Sequence, residues 1–233
     1  GAGGASLAAA KFLKEIMLRD GIQGSYGLGG ITGYMVDMLE AGCFRSLLDV
    51  QCFDLKAVES IRNDPRHREV TALHYAGPAV RSAVVDSLDV VILGATEIDT
   101  DFNVNVHTDS NGFIMGGSGG HSDAAAGSKL CMIIAPMFRA RLPIVTDHVT
   151  CISTPGKDID VLVTQGGIAV NPKNTELKER LVRAGLPIVD IHDLKEKTER
   201  ITGAPRHLQF GDKPVAEVIY RDGTKLDTIY NVI

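Results

Sequence analysis

Strand-like apolar runs alternate with amphipathic helix patterns along the first two thirds of the chain, and this alternation limits the possible folds more than any other feature. The runs at residues 88–93 and 130–135 are almost entirely apolar, as expected for strands buried on both faces. Helix patterns begin after the capping residues Thr32 and Asp54, and the first of them ends at Gly42. Strands that alternate with helices favour crossover connections. The predicted fold class is therefore α/β, with an open, mostly parallel sheet flanked by helices.

The last third of the chain adds small β-hairpin elements. Turn residues 165–167 separate two short apolar runs and residues 221–223 separate another pair, which is typical of β-hairpins. Two helix patterns lie between these hairpins, and the first begins at Thr175. The sequence contains no internal repeat and no low-complexity linker. We therefore predict one domain over residues 1–233, with residues 205–233 as an edge hairpin extension of it.

Composition excludes several classes of partner. The 233 residues carry a formal net charge of −5, no Trp and 5% aromatic residues, which argues against nucleic-acid binding because that needs a basic face and stacking platforms. Every apolar run is far shorter than the roughly 20 residues of a membrane span.

The cysteines have no CxxC spacing and lie in or beside apolar runs; they are Cys43, Cys52, Cys131 and Cys151. Buried thiols and a reducing, cytoplasmic location are predicted.

Three glycine-rich turns precede helix patterns, at residues 1–4, 27–30 and 116–120. Backbone N–H groups at such turns can face an anion or a developing oxyanion because no side chain blocks the approach. The dinucleotide fingerprint G-x-G-x-x-G fails at Thr32 in the second turn and at Ser122 in the third, and the chain has no G-x-x-x-x-G-K-[ST] phosphate loop. A purely structural role, in which glycine only permits a tight turn, stays open for each of them.

The third glycine turn is more informative because a helix pattern with its own caps follows it. Ser122 or Asp123 can cap a helix that continues through residues 124–126, and its dipole would then point at the glycine loop. An acyl carbonyl that passes through a tetrahedral intermediate needs such donors, and the loss of one typically costs about 3–4 kcal/mol of barrier. The loop is therefore predicted to be an oxyanion site.

Over residues 97–109 every odd position is polar, and the even positions include Ile98, Phe102, Val104 and Val106. This alternation predicts a strand with one polar face. A calcium loop beginning at Asp99 would need Gly in place of Val104, so we reject it. His107 and His121 lack the HxxxH spacing of zinc ligands, and no metal site is predicted. A structural or exposed role stays open for each histidine.

Several strings in the chain resemble one protein family. The second, beta-type half of family I coenzyme A transferases carries a similar strand, turn, glycine loop and hairpin; the matching strings are LGATEID at 93–99, NVN at 103–105, GGSGGHSD at 116–123 and VTQGGIAV at 163–170. The alpha subunits of citrate lyase are more similar still. Their further matching strings are GLGGITGYM at 27–35, LDVQCFD at 48–54 and FRARLP at 138–143. The resemblance covers nearly the whole chain.

The resemblance implies a fold of the CoA-transferase (NagB/RpiA-like) type and a chain that is the C-terminal half of a longer two-domain subunit, with a cut at Gly1. It implies a CoA-transferase activity in which citrate replaces acetate on an acetyl thioester. No tightly bound cofactor is expected, since the phosphopantetheine-type thioester of an acyl carrier protein, or of CoA, is the substrate. The implied partners are the N-terminal half of the subunit, the beta subunit and the acyl carrier (gamma) subunit, in homo- and hetero-oligomers.

The sequence departs from the family pattern at two places. Family I relatives usually carry a Glu nucleophile after an early strand, and that position falls near Gly29 or Gly30, where no carboxylate stands. The substrate's own carboxylate would then attack the thioester and form a mixed anhydride without a covalent enzyme intermediate, so that catalysis relies on positioning and oxyanion stabilisation.

Phe102 stands where relatives have Gly in a turn. A bulky residue with positive φ is strained, so a differently built turn is expected.

The site assigned from the resemblance combines backbone donors with cations. The oxyanion donors are the backbone N–H groups of Gly117, Ser118, Gly119 and Gly120. The substrate-binding residues are His121, Asn105, Arg139, Arg141, Glu97, Gly29 and Gly30. Citrate is a trianion, and both arginines and His121 are the candidate cations because arginine binds carboxylates bidentately. A solvated face or a subunit contact stays open for the arginines, and a structural role stays open for Glu97.

Alternative interpretations remain at this stage. The basic run at residues 62–68 could face an acidic carrier protein or form an exposed loop. The same open α/β fold hosts sugar-phosphate sensors that bind without turnover, because fold does not determine function. Another family I transferase would act on a different short acyl acid, and a carboxylate at the nucleophile position would favour it. Finally, this half of the subunit could be structural while the other half binds the substrate.

Overall fold

The computed structural model describes residues 4–80, 82–205 and 208–233. It shows a mixed α/β protein whose sheets are mostly parallel, as the alternation of strand and helix patterns predicts. The chain contains two compact units, Gly1–Val84 and Val85–Ile233, and the prediction of one domain over residues 1–233 stays a prediction. Within the described ranges, no helix is long and apolar enough to cross a membrane.

Unit 1, Gly1–Val84, contains a three-stranded parallel sheet in the order β1-β2-β3 with helices between its strands. Its elements are α1 (Gly4–Arg19), β1 (Gly24–Ile31), α2 (Gly33–Glu40), β2 (Phe44–Cys52), α3 (Leu55–Asn63), β3 (His67–Glu69) and α4 (Ala72–Ala76). The Asp54 side chain caps α3 by accepting a hydrogen bond from the Ala57 N–H at 2.9 Å. Thr32 precedes α2 without a side-chain cap hydrogen bond, so only one of the two predicted caps forms.

Apolar side chains from β1, β2, α2 and α3 form the core of unit 1. The buried members are Ile31, Val36, Leu39, Leu47 and Ala57. The amphipathic pattern of α1 predicts a buried face, but only Met17 on that helix is buried, whereas Phe12 remains 60% exposed. The first helix is therefore correctly placed by its periodicity, and most of its apolar face is open in the described chain.

Unit 2, Val85–Ile233, contains the larger sheet and most of the remaining elements. Its strands are β4 (Val91–Leu93), β5 (Glu97–Asp99), β6 (Val104–Asn105), β7 (Cys131–Ile134), β8 (Phe138–Arg139), β9 (Leu142–Pro143), β10 (Val145–Thr146), β11 (Val161–Thr164), β12 (Gly167–Val170), β13 (Ile188–Val189), β14 (Phe210–Ile219) and β15 (Lys225–Val232). Its helices are α5 (His121–Gly127), α6 (Thr175–Arg183) and α7 (Ile191–Thr202). Two 3₁₀ helices, Val84–Ser87 and Gly156–Asp158, complete the described elements.

The main sheet has five strands in the order β13-β12-β11-β7-β4. All of its neighbouring strands are parallel except β11 and β12, which form the hairpin predicted around residues 165–167. The run at residues 88–93 forms a strand only from Val91 onward, and that strand is half-buried because it lies at the sheet edge. The core of this unit includes Ile98, Phe102, Ile133, Leu162 and Leu194.

The C-terminal hairpin predicted within residues 205–233 forms from β14 and β15. It is a separate two-stranded sheet rather than an added edge of the main sheet. Val218 and Ile229 pack with Cys151 in a small buried cluster. Residues 206 and 207 of the predicted extension lie outside the described residues.

Parallel pairing brings the carboxyl ends of β4 and β7 to the same edge of the main sheet. The segments that leave these ends contain Gly94 to Thr96 and Ala135 to Arg139. In open α/β sheets, ligands bind beside the carboxyl ends of the strands. We therefore expect the functional site at this edge of unit 2.

Candidate functional site

The glycine loop, residues 116–120, leads directly into α5. Gly116 and Gly119 have φ values of 152° and 56°, in the region that favours glycine. The helix begins at His121, with Gly120 as its N-cap and no side-chain cap hydrogen bond. The expectation that Ser122 or Asp123 caps the helix is wrong, because both residues lie inside its first turn.

The glycine loop is open on its outer side. A Cβ atom placed on Gly116, Gly117 or Gly119 would meet nothing within 4 Å. Among the described residues, no acceptor bonds to the backbone N–H groups of the loop, from Gly117 to Gly120. Unpaired N–H groups without neighbouring side chains are the arrangement that an anionic oxygen can approach.

His121 joins the glycine loop to the edge of the main sheet. Its Nε2 lies 2.9 Å from the carbonyl oxygen of Gly94, and its Nδ1 lies 2.8 Å from the hydroxyl of Thr154. A carbonyl only accepts, so the hydrogen is assigned to Nε2, and Nδ1 of the neutral ring accepts from Thr154. Burial lowers the pKa of His121, against the opposing effect of the Gly94 carbonyl. His121 therefore anchors the loop, and its lowered pKa favours the neutral ring. Its expected contact with citrate stays a prediction.

Glu97 and Asn105 are buried and bonded to each other. The Nδ2 group of Asn105 donates to Glu97 Oε2 at 2.9 Å and to the Thr108 hydroxyl at 2.8 Å. Glu97 also accepts from the backbone N–H of Thr150 at 2.8 Å and from its hydroxyl at 3.1 Å. Asn105 Oδ1 accepts from the backbone N–H groups of His107 and Thr108. Both side chains are therefore occupied in holding loops together, which favours the structural alternative for Glu97. Their expected contact with the substrate stays a prediction.

A tight turn interrupts the strand predicted over residues 97–109. The side chain of Asp99 accepts hydrogen bonds from the backbone N–H groups of Asp101 and Asn103, at 3.1 and 2.8 Å. The chain then returns as β6, which pairs antiparallel with β5. Phe102 in this turn has a φ of 65° and is 1% exposed. Burial raises the pKa of Asp99, against these hydrogen bonds.

His107 and Ser153 form a second histidine–hydroxyl pair that the sequence analysis does not predict. The Ser153 Oγ accepts from the backbone N–H groups of Val106 and His107 and lies 2.6 Å from His107 Nδ1. Because both lone pairs are used, its own hydrogen donates to Nδ1, which leaves the ring hydrogen on Nε2. Burial lowers the pKa of His107. The two partners are 46 residues apart, so no local pattern could have shown them.

Arg139 and Arg141 lie on a tight hairpin formed by β8 and β9. Ala140 and Arg141 connect the strands with φ values of 47° and 65°, the two positive values of a type I′ turn, which normally uses Asn or Gly. The Nη2 group of Arg139 reaches the carbonyl oxygen of Ala95 at 3.4 Å, beside the segment that holds His121. Both arginines are exposed, and within the described part of the chain neither forms an ion pair. The structure therefore brings Arg139 to the same edge as the glycine loop.

The cysteines behave as buried thiols. All four are free, and only Cys52 is half-buried rather than buried. Burial raises the pKa of Cys131 and Cys151 to about 12, which makes these thiols poor nucleophiles. A search of the described ranges finds no group of three or more metal-ligating side chains.

The family of the chain follows from comparison with known proteins. A family model described as citrate lyase, alpha subunit (CitF), matches residues 1–232. The chain belongs to the citrate lyase alpha subunit family. This confirms the resemblance that the strings at 27–35, 93–99 and 116–123 indicate.

Curated citrate lyase alpha chains are similar along the whole chain. The relative from Klebsiella pneumoniae is 50% identical over 232 residues and the one from Haemophilus influenzae 49%. Both alignments cover 100% of this chain and 46% of the relative, so the chain spans about half the length of these relatives. It corresponds to their C-terminal part.

A crystal structure of a citrate lyase alpha subunit from Streptococcus mutans, solved in complex with citrate, has the same fold as this chain. The TM-score is 0.97 at 45% identity, and the match covers 100% of this chain and 46% of that one. Similarity at this level supports the arrangement of elements described above.

Gly29 and Gly30 occupy a bulge in β1 of unit 1. The pairing register with β2 shifts between them, and Gly29 has a φ of 122°. A Cβ on Gly30 would overlap the ring of Phe53, with its nearest atom at 1.8 Å. Glycine at Gly30 is thus explained by packing, and no carboxylate stands at either position. The structure places both glycines in a different compact unit from the glycine loop.

The basic run at residues 62–68 is partly neutralised within unit 1. Arg66 pairs with Asp64 at 2.7 Å, and Arg68 donates to the backbone carbonyl of Pro65 at 3.1 Å. His67 is buried beneath them. An exposed loop with internal ion pairs therefore describes the run better than a uniform basic surface.

Proposed function

We propose that the chain is part of a transferase that exchanges citrate for acetate on an acetyl thioester, producing a citryl thioester and acetate. The open glycine loop carries this proposal, because its unpaired N–H groups can stabilise a tetrahedral oxyanion. Family membership supports a citrate-related transferase role. The citrate bound in the structure of the Streptococcus mutans relative supports citrate as the acid.

The proposed fold type is that of family I CoA-transferases. The partners proposed with it are the remaining half of the subunit, the beta subunit and the acyl carrier subunit, in a hetero-oligomeric complex. The carrier's phosphopantetheine thioester, or CoA, is then a substrate and not a resident cofactor. The free, buried cysteines support a reducing compartment, and we place the complex in the cytoplasm.

The proposed reaction passes through a mixed anhydride. A carboxylate oxygen of citrate attacks the acetyl carbonyl, and the negative charge that develops on the carbonyl oxygen is stabilised by N–H groups between Gly117 and Gly120. The carrier thiolate leaves, then attacks the citryl carbonyl of the anhydride and releases acetate. Arg139 and Arg141 bind the remaining carboxylates of citrate. His121 keeps the loop against Gly94 and takes no proton, since its lowered pKa keeps the ring neutral.

Isotope transfer in a single turnover tests this direct route. In the assembled complex, citrate labelled with ¹⁸O in its carboxylates should give acetate that contains one ¹⁸O in the first turnover, because the bridging oxygen of the anhydride comes from citrate. A route through an enzyme carboxylate would give unlabelled acetate in the first turnover, with the enzyme's own oxygen.

Chemical trapping gives a second test of the same step. Hydroxylamine or borohydride added during turnover should yield no modified carboxylate on the protein, because Gly29 and Gly30 provide none. An adduct on any Asp or Glu of the complex would contradict the direct attack and restore a covalent enzyme intermediate.

A further inference from the structure

Three side chains of unit 1 form a hydrogen-bonded chain that the proposed function does not use. The Nε2 atom of His67 lies 3.2 Å from Asp49 Oδ2, and its Nδ1 atom lies 2.9 Å from the Ser60 hydroxyl. Asp49 and His67 are 1% and 3% exposed, while Ser60 is half-buried. The three residues come from β2, β3 and α3.

The order of donors and acceptors in these three side chains is that of a serine nucleophile with its base. A carboxylate only accepts, so Asp49 takes the hydrogen on Nε2. In the tautomer that carries its hydrogen there, Nδ1 accepts from the Ser60 hydroxyl. Asp49 is itself fixed by the Gln51 backbone N–H at 2.7 Å and by the Cys52 thiol at 2.8 Å. Such a relay is recognised by geometry and roles rather than by sequence position.

The hydrogen-bonded series of Asp49, His67 and Ser60 ends at a surface pocket and not in the core. Ser60 lines a pocket of about 360 Å³ together with Asn63, and residues three apart share one face of a helix. The amide of Asn63 is therefore available as a donor to a developing oxyanion beside Ser60.

The charge of the pocket indicates what it accepts. Glu40 and Glu59 line it with Lys56, and the Lys56 ammonium is already paired with Asp37. With Asp64 the lining has three carboxylates. Together with a neutralised ammonium they disfavour anionic ligands such as tricarboxylates. The volume is that of a small-molecule site, so small neutral or cationic esters are the class that fits.

We propose that Ser60 is the nucleophile of a second, acyl-transferring site in this protein, with His67 as its base and Asp49 as the residue that orients the base. Ser60 Oγ attacks the ester carbonyl while its proton moves to His67 Nδ1. The alkoxide leaves with that proton, and the acyl group stays on Ser60. Water then attacks the acyl-serine, with His67 again as the base, and the acid and the free serine are released.

A fluorophosphonate probe applied to the full chain tests this assignment without citrate or thioester. Peptide mass spectrometry should find the phosphonyl group on Ser60, and Ser60→Ala should abolish it. Asp49→Asn should slow the labelling on the order of 10³–10⁴-fold, since it favours the wrong tautomer of the base. Ser46→Ala is the matched control, because the Ser46 hydroxyl bonds only to the backbone carbonyl of Ser25, and it should label like the wild type.

Thermal unfolding of each variant shows whether lost labelling reflects lost structure. Ser60→Ala that melts like the wild type and is not labelled supports the proposal. An unlabelled wild type, or labelling of Ser60 no faster than of Ser46, overturns it. Either result leaves the proposed citrate transfer untouched, because that reaction uses none of Ser60, His67 and Asp49.

Discussion

Three residues of unit 2 other than glycine hold a left-handed backbone, and all lie in segments that connect to the candidate site. They are Phe102, Ala140 and Arg141, with φ values of 65°, 47° and 65°. Such a conformation costs a non-glycine residue on the order of 1–2 kcal/mol. Strain of this kind persists only where the surrounding structure or the function maintains it, and substitutions can separate these two causes.

At Phe102 the cause is packing, because the side chain is buried in the core of unit 2. Phe102→Ala should lower the free energy of unfolding by roughly 3–5 kcal/mol. Phe102→Gly removes the same ring but relieves the strain, so we expect it to be more stable than the alanine variant by about 0.5–1 kcal/mol after its greater chain entropy is counted. Urea unfolding measures both. An alanine variant more stable than the glycine variant would contradict the strained turn.

At Arg141 we attribute the left-handed backbone to function, because the guanidinium of this residue belongs to the proposed citrate site. Arg141→Gly should raise the free energy of unfolding by about 1 kcal/mol, because glycine adopts the type I′ turn without strain. The same change should weaken citrate binding in the assembled complex about tenfold or more. Arg141→Ala is the control, which loses the guanidinium but keeps the strain. A glycine variant that binds citrate like the wild type would remove Arg141 from the site.

The histidine that anchors the glycine loop should make stability depend on pH. The folded-state pKa of His121 is lowered, so the unfolded chain binds more protons than the folded one below about pH 6.5. The contribution of His121 to the free energy of unfolding is therefore fully present above that pH. It is lost on acidification toward the folded-state pKa, at up to about 1.4 kcal/mol per pH unit for one histidine. His121→Gln should flatten this part of the profile. Equal slopes for variant and wild type between pH 7 and 5 would show that His121 is not held neutral.

At the scale of elements, the parallel sheet is readable from the sequence and the site is only partly so. The strands β7 and β11 and the hairpin of β11 with β12 have local signals, namely apolar runs and glycine turns. The alternation over residues 97–109 does not mark a strand with one polar face in water, because Glu97, Asp99 and Asn105 are buried. Glu97 satisfies the backbone N–H of Thr150, 53 residues away. Such long-range partners, like the histidine–hydroxyl pairs, have no local pattern.

The glycine loop is the element that the proposed reaction depends on most. Gly119→Ala should cost only about 1–2 kcal/mol of stability, since the backbone is strained but nothing lies within 4 Å of the new Cβ. Citrate-dependent turnover should fall about 10²–10³-fold, because the displaced N–H groups no longer meet the oxyanion. Gly117→Ala is the comparison variant, because its Cβ also meets nothing within 4 Å, its φ is not positive and it keeps its own backbone N–H. We expect it to lose much less turnover than Gly119→Ala. Equal turnover of the two variants would contradict an oxyanion role for the Gly119 conformation.

At the scale of the whole molecule, two compact units account for the chain, and it spans about half the length of its curated relatives. The predicted oxyanion donors and arginines lie in unit 2, while Gly29 and Gly30 lie in unit 1. Gly29 and Gly30, where the resemblance predicts the nucleophile position of family I relatives, carry no carboxylate. We therefore expect activity from the assembled subunit and not from this half alone.

Citrate-dependent release of acetate from an acetyl thioester tests the central claim most directly. The assay is run with this chain alone, and then with the remaining half of the subunit and the acetylated carrier supplied. We predict no release from the chain alone and citrate-dependent release from the completed complex. Turnover of the completed complex with another short acid but not with citrate, or no turnover at all, would contradict the proposed citrate transfer.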